Sequence, residues 1–434
     1  MKQLTRLFIP ICLETLFYML SGMVDTLMLS AVGDYAVGAV GTANSYIGIF
    51  IIMFSIISSG MVSVMTQNIG AGRPGVAYQA RQLGLLFNAV AGVLMAVFLF
   101  SGAGAILRMV GIADALYEPA LIYLKIVGGG CILNAVIPIF SSYLRAFGYT
   151  KQPLYATIVG NIANFVMNAV FLFVLHKGVA GVATATVISK ILNLCIVLYF
   201  SHKLISAKNS TERIANKTVL GQIVKVGLPS ACETALYNVA MMLVIRFLNQ
   251  MDAEGLNVTA RSYTATISNF SYCVGAALAQ ANAIMTGWHI GAGELEECDR
   301  GTKRAAFVGV CVAVCMETAI VLGSGFIMPL FTDNPEMTAL VRKLLAIDIV
   351  LEIGRVTNLV FGQALKTSGD AVFPAVIAAV FMFVFAVGGT WLFGISMGLM
   401  AGGAYIGLAS DECVRAVGMV WRWKTGKWRT KKLV

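Results

Sequence analysis

Twelve apolar stretches, each about 20 residues or longer, follow one another along the chain, broken only at glycine, proline or small clusters of charge. A helix needs about 20 apolar residues to cross the ~30 Å hydrocarbon core of a bilayer, and a helix satisfies its own backbone hydrogen bonds there. The sequence therefore predicts an all-α polytopic membrane protein with twelve transmembrane helices. Composition agrees, since 58% of residues are hydrophobic and 12% are charged, about half the charge of a soluble domain.

The opening stretch, PICLETLFYMLSGMVDTLMLS from Pro10 to Ser30, carries two carboxylates, Glu14 and Asp25. On a helix their spacing returns almost to the same azimuth, with Tyr18 and Ser21 on the same stripe. A lipid-facing carboxylate costs about 3 kcal/mol or more, so this stripe should face protein or a watery cavity. The opening is written again later: Pro229, Glu233, Thr234 and Tyr237 follow Pro10, Glu14, Thr15 and Tyr18 at an offset of 219 residues. GAGR at 70–73 pairs with GAGE at 291–294, LRAFGYTKQP at 144–153 with LKTSGDAVFP at 365–374, and AGVA at 180–183 with AGGA at 401–404, all offset by 221. One register held across three separated motifs marks an internal duplication. Each half has an even number of spans and starts on the same side, which makes the repeats parallel, about an axis along the membrane normal. The expected organisation is an amino-terminal six-helix lobe at 1–202, a polar cytoplasmic linker at 203–218 and a carboxy-terminal six-helix lobe at 219–434 ending in a basic tail.

The net charge of +10 does not point to nucleic acid. Most of the 31 Lys and Arg fall in loops and ends on one side or in the tail WRWKTGKWRTKK, against Arg108, Lys177, Arg342 and Lys343 on the other. That bias puts both termini in the cytoplasm of a multi-pass protein of the cytoplasmic (inner) membrane, with the tail against anionic headgroups. The first stretch lacks a small-residue cleavage site and reads as an uncleaved span. Nine scattered cysteines without a C-x-x-C read as small buried apolar side chains, and no metal is expected from the three histidines. No Walker lysine follows GAGR or GAGE, and no nucleophile with a base is grouped in one region. The chain is therefore expected to be neither ATP-driven nor an enzyme and to need no cofactor, its energy coming from an H+ or Na+ gradient.

A proline in the opening span, VDT at 24–26, QNIGAG at 67–72, LRAFGYTKQP, and GVAGVATATVIS at 178–189 together resemble the multidrug and toxic compound extrusion (MATE) family, most closely its DinF-like prokaryotic branch. The resemblance covers the whole chain. It implies two six-helix lobes around a central cavity and export of small organic compounds, cationic or amphipathic, in exchange for protons or, as the second option, sodium ions. A monomer is expected. Asp25 falls on the family's first-helix carboxylate, Asn164 on a polar position of the same amino-lobe site, and Thr186 near a hydroxyl position. Asn168 stands where several relatives have a second aspartate, a departure that leaves Asp25 without its acidic neighbour. Arg355 stands where sodium-coupled relatives have an acid in the tenth span.

The embedded charges allow two readings each. Asp25 is either a site that exchanges a proton with a cavity opening to alternate sides or a fixed acid paired with Lys190 or Lys125. Glu14 and Glu233 are either shared functional groups of the two lobes or local partners of Arg6 and Lys225. Glu233 has the stronger claim to a coupling role, because a seventh-span glutamate features in other branches. Asp348, Glu352 and Arg355 share one face of the tenth span, where a buried Glu–Arg pair invites explanation because its desolvation exceeds its return unless fully hydrogen-bonded. Asp411 and Arg415 read as an i,i+4 pair at a helix interface. Glu14, Tyr18, Tyr237 and Arg261 are candidate cavity residues, and Glu233, Glu352 and Arg355 join Asp25, Asn164, Asn168 and Thr186 as candidate coupling residues. The competing functions are a lipid-linked saccharide flippase and, from another class, a membrane-embedded enzyme or receptor.

Overall fold

The computed structural model describes residues 2–110, 112–205, 212–252 and 255–434. Part of the expected linker, residues 206–211, therefore lies outside the described residues. The rest is helical: α1 (Lys2–Ser30), α2 (Asp34–Gly70), α3 (Pro74–Val110), α4 (Asp114–Gly129), α5 (Cys131–Ala146), α6 (Lys151–Ala169), α7 (Gly178–Leu204), α8 (Asn216–Met251), α9 (Leu256–Ala292), α10 (Leu295–Ile327), α11 (Pro335–Ser368), α12 (Val372–Phe381) and α13 (Met400–Lys424). These make twelve rods. α4 and α5 form one rod bent by 42° at Gly130. π-helical turns extend α6 over Val170–Val174 and α12 over Met382–Val387 and Thr390–Ser396.

Eight rods are long and apolar enough to cross a membrane on length and composition, and the bent pair makes a ninth. The other three, α9, α11 and α13, fall outside that group, and α11 packs on both α9 and α13 beside a charged interior. Their polarity is directed inward. The reverse holds for α3, where Leu86, Val90, Val93, Leu94 and Val97 are exposed along one stripe, a surface suited to lipid rather than water.

The repeated sequence motifs are mainly backbone devices. Gly72 and Gly293 close their helices at φ 75° and 79°, and Gly148 and Gly369 do so at 83° and 96°. Only glycine enters that left-handed region without cost, so a helix stops there and the chain turns. α11 starts equally locally: Pro335 occupies the first turn and the Asn334 side chain accepts from the backbone N–H of Glu336 and Met337.

The chain packs as two compact units, Ile9–Gly227 and Met1–Phe8 with Leu228–Val434. In the first, a stripe of Ala36, Ala39 and Ala43 on α2 packs among Leu99, Leu107, Ala120 and Leu124. Small residues let helix backbones approach where lipid supplies no hydrophobic drive. The second is built around α11, which packs on α9, α10 and α13. At its crossing with α13, a Cβ on Gly354 would come within 2.7 Å of the Cys413 nitrogen and the Glu412 carbonyl carbon, so only glycine permits this approach. The tail folds back here. Trp423 and Trp428 stack at 4.2 Å and are buried, as is Leu433. Arg422 and Arg429 pair with Asp370 and Glu296, each at 2.7 Å. Trp423, Trp428 and the two arginines of the tail are thus held by this unit, while Trp421 and the tail's lysines are exposed.

The expectation for the cysteines is also corrected in part. None of the nine is in a disulfide, but Cys195, Cys232, Cys311 and Cys315 are exposed while Cys12, Cys131, Cys273 and Cys298 are buried. A small apolar thiol is accommodated by lipid as readily as by core.

Candidate functional site

Each unit holds its own polar cluster. In the Ile9–Gly227 unit, α6 presents Asn161, Asn164 and Asn168 on one face, at the i, i+3, i+7 spacing that stacks side chains along a helix. Asn161 donates to the Phe17 carbonyl of α1 at 2.9 Å. Two turns further, Asn168 Nδ2 donates to Asp25 Oδ1 at 2.8 Å and to Asn164 Oδ1 at 3.1 Å. Asn168 is fully buried, and its own Oδ1 has no hydrogen-bond partner. Lys190, one of the two cations considered for Asp25, donates instead to Asn134 Oδ1 at 2.8 Å. Among the described residues no ion pair reaches Asp25. Asp25, Asn164 and Asn168 are thus brought together. Thr186 is one step removed: its hydroxyl returns to the Val182 carbonyl of its own helix and faces Tyr123, which in turn lies near Asp25 and Asn44.

Glu14 takes a partner other than the expected Arg6. It pairs with Arg145 of α5 at 2.7 Å. In the other unit Glu233 pairs with Lys366 of α11, also at 2.7 Å, rather than with Lys225. The reason is in the repeat: Arg145 and Lys366 are the second residues of LRAFGYTKQP and LKTSGDAVFP, so the duplicated glutamate meets the duplicated cation within each lobe. Tyr18 is largely exposed and lines none of the described cavities.

The second unit contains an open cavity of about 470 Å³ lined by α8, α9, α11 and α13, with Met382 of the α12 extension. Glu233, Tyr237, Arg261, Tyr272, Arg355 and Glu412 are among its walls. The charges that the sequence presents as two separate sets form one line. Glu352 pairs with Arg355. Arg355 approaches Glu412 at 3.9 Å, Glu412 meets Arg415 at 2.7 Å, and Arg415 grips Asp411 through two bonds of 3.0 and 2.8 Å. Asn358 donates to the other Glu412 oxygen at 3.0 Å. Gly354 explains why the two sets meet, because the close crossing it allows places Arg355 against the turn of α13 that carries Glu412. An alternating chain of acids and bases lets several charges share one desolvated region, where an isolated one would be costly. Arg261 stands apart, with only the Met241 sulfur at 3.8 Å as polar contact among the described residues.

One buried acid is missing from the sequence-based set. Glu317 on α10 is fully buried beside Asp348 and Glu352. It is a lone carboxylate in the apolar run VCMETAIV, and the lipid-cost argument that singled out Asp25 applies to it equally.

Twelve rods in two duplicated units, with buried polar clusters and a lipid-suited exterior, define a polytopic membrane transporter. The MatE family model matches residues 10–170 and 229–392, once in each half. The chain is 32% identical over 428 residues, 97% of its own length and 94% of the relative's, to "Uncharacterized transporter YisQ" of Bacillus subtilis (strain 168). It is 21% identical to "Probable multidrug resistance protein NorM" of Thermotoga maritima, covering 100% of this chain and 94% of the relative. The solved structure described as "Crystal structure of MATE in the straight conformation" superposes with a TM-score of 0.86 at 21% identity, covering 99% and 97% of the two chains. The chain belongs to the MatE family of multidrug and toxic compound extrusion transporters. It is an efflux transporter rather than an enzyme, and its family needs no cofactor.

Proposed function

We propose that the protein exports small amphipathic organic compounds in exchange for protons, by rocker-switch alternating access of the lobes 1–202 and 219–434 about the linker 203–218. It does so as a monomer in the cytoplasmic membrane with both termini inside. The coupling group is Asp25, held by Asn168 and Asn164, with Thr186 behind them. Glu233 and Arg355 line the carboxy-lobe cavity and join Glu352, held behind it by Arg355, in coupling, while Tyr237 and Arg261 meet substrate.

One observation carries the choice of protons. Asn168 offers Asp25 a donor that is used and an acceptor that is not. An ionised carboxylate only accepts, and so leaves that buried acceptor unsatisfied; a protonated carboxyl both accepts and donates, and can engage both atoms of the amide. A protonated Asp25 could engage an amide acceptor that an ionised one leaves idle, so the Asn168 side chain can accommodate both states of the acid without a counter-cation. An aspartate at 168, the residue of several relatives, would instead place two like charges side by side.

The test is efflux of a fluorescent dye from proteoliposomes with proton and sodium gradients imposed separately, for wild type and Asp25→Asn. Export under the proton gradient alone, lost in a folded Asp25→Asn protein, is the expected result. Intact proton-driven export in that variant overturns the assignment of Asp25, and export under a sodium gradient alone overturns the choice of ion.

A further inference from the structure

α11 and α13 touch where Gly354 meets the backbone of Glu412 and Cys413, and one turn earlier the Cys413 thiol donates to the Val350 carbonyl at 3.6 Å. On the amino-terminal side of this crossing an open groove of about 600 Å³ runs between the two helices. Lys343, Ala346 and Val350 line it from α11, and Ile406, Ala409 and Cys413 from α13, each set at the i, i+3, i+7 spacing of one helix face. The groove shares no residue with the charged cavity, and Val350 and Ile406 are exposed by 52% and 36%. Its one hydroxyl, Ser410, is spent on the Ile406 carbonyl of its own helix at 2.8 Å. Apart from Lys343 the walls therefore offer no free polar side chain. The lysine lies across the mouth: a Cβ on Gly402 of α13 would be 3.5 Å from its Cε and 3.6 Å from its Nζ. The neighbouring Arg342 is committed to the Ser324 hydroxyl of α10 at 2.8 Å, whereas Lys343 has no hydrogen-bond or ion-pair partner among the described residues. Centring the ~20 residues that cross the hydrocarbon on the 34-residue α11 puts Lys343 at the edge of the apolar layer.

We propose that this groove seats one acyl chain of an anionic phospholipid, whose phosphate pairs with the Lys343 ammonium. A hollow on a lipid-facing surface forfeits dispersion contacts if it stays empty, and walls without polar partners do not hold water. An acyl chain is the apolar rod that the surroundings supply. From Lys343 to Val350 the groove runs about 10 Å along α11, within the ~15 Å depth of one leaflet, so a chain lying in it brings its phosphate to the level of the ammonium. The charge selects the headgroup. A zwitterionic lipid carries its own cation beside the phosphate, whereas a net-anionic one leaves the phosphate to the lysine. The seated chain wedges between the two helices that bring Glu352 and Arg355 to Glu412 and Arg415, and so braces the crossing on which that line of charges depends. The site is independent of the choice of coupling ion and of substrate.

The experiment measures lipid binding rather than transport, so it is separable from the reading of Asp25. Purified, delipidated full-length protein in detergent is given phosphatidylglycerol or phosphatidylcholine with identical acyl chains, bound lipid is counted by native mass spectrometry, and the thermal midpoint is read in parallel. The wild type should hold one phosphatidylglycerol at least about fivefold more tightly than phosphatidylcholine, the worth of one lysine beside an anionic headgroup. Lys343→Met should bind the two lipids equally, and Ala346→Phe, which fills the groove from an exposed position, should lose the tightly held lipid of either kind. Lys343→Met breaks no contact within the fold, so its midpoint without lipid should match the wild type, and selectivity lost at an unchanged midpoint reports the headgroup rather than folding. Equal affinity of the wild type for the two lipids overturns the proposal, as does a preference that survives Lys343→Met or retention that is unaltered in Ala346→Phe. A dimer that dissociates in Ala346→Phe without any bound lipid would give the groove to a second copy of the chain and overturns it equally.

Discussion

Neutralising Lys366 as Lys366→Met leaves Glu233 in a partly buried position without its cation. At 2.7 Å the pair's gross attraction, with an effective dielectric of about 20, is about 6 kcal/mol. Much of that offsets desolvation, and removing one partner of a fully buried pair typically costs about 3–5 kcal/mol. The two side chains retain 13% and 20% exposure, so water screens part of the loss and about 2 kcal/mol is expected. For a lobe of this size that lowers the melting midpoint by about 4–8 °C. Glu233→Gln should cost a similar amount, and the double variant Glu233→Gln/Lys366→Met should cost less than the two added together, with a coupling of at least about 1 kcal/mol. Glu14→Gln and Arg145→Met should repeat the pattern in the other lobe, because the duplicated pair has the same 2.7 Å separation. The assay is thermal unfolding of purified protein, with dye efflux measured in parallel. Additive melting shifts in both lobes would refute an architectural role. Abolished efflux at unchanged melting midpoint in Glu233→Gln would make the glutamate a functional group instead.

Gly354→Ala inserts a Cβ 2.7 Å from the backbone of α13 and should destabilise by about 1–3 kcal/mol, read as a lower melting midpoint, since backbone cannot move aside as a side chain can. Gly72→Ala and Gly293→Ala meet no atoms within 4 Å, so each should cost only the left-handed backbone penalty of about 1–2 kcal/mol and the two should match; a large difference would show that one carries an additional contact. Truncation after Lys424 removes the stacked, buried Trp428 and the Arg429–Glu296 pair, and should cost about 3 kcal/mol, with little effect expected if the tail instead served only as a headgroup anchor. Asn168→Leu removes the amide from Asp25 and should uncouple dye export from the proton gradient while the protein remains folded, as judged by gel filtration; coupled export at the wild-type rate would exclude Asn168 from the site.

The frame was legible because it is written in local signals. Apolar run length gives the rods, Gly72, Gly148, Gly293 and Gly369 stop them, and a shared offset reveals the duplication. Asp25 with Asn164 and Asn168 was legible through a combination of lipid cost and family resemblance. What pairs with what was not, because partner choice depends on which helices cross. Arg145 is 131 residues from Glu14, and only the fold brings the two within 2.7 Å. The joining of Glu352, Arg355, Glu412 and Arg415 depends on one glycine at a helix crossing, and nothing in the local sequence of either helix announces the other. Glu317 was illegible for a different reason: it belongs to no motif and has no repeated counterpart.

Its position shows what duplication has kept and what it has released. At the repeat offset, Glu317, Asp348 and Glu352 correspond to Ala96, Val127 and Cys131, all in or packed against the apolar core of the amino-terminal unit. Conversely Asp25 corresponds to Val244, fully buried in the apolar core of the other unit, and Asn164 and Asn168 correspond to Phe385 and Gly389. The ion pairs Glu14–Arg145 and Glu233–Lys366 survive in both copies, whereas Asp25, Glu317, Asp348 and Glu352 each have an apolar residue in the other copy. A group required for packing the frame would be required twice, since the frame is built twice. Asp25 is therefore buried at a cost that the equivalent place in the other lobe does without, which is what the proposed coupling role requires of it.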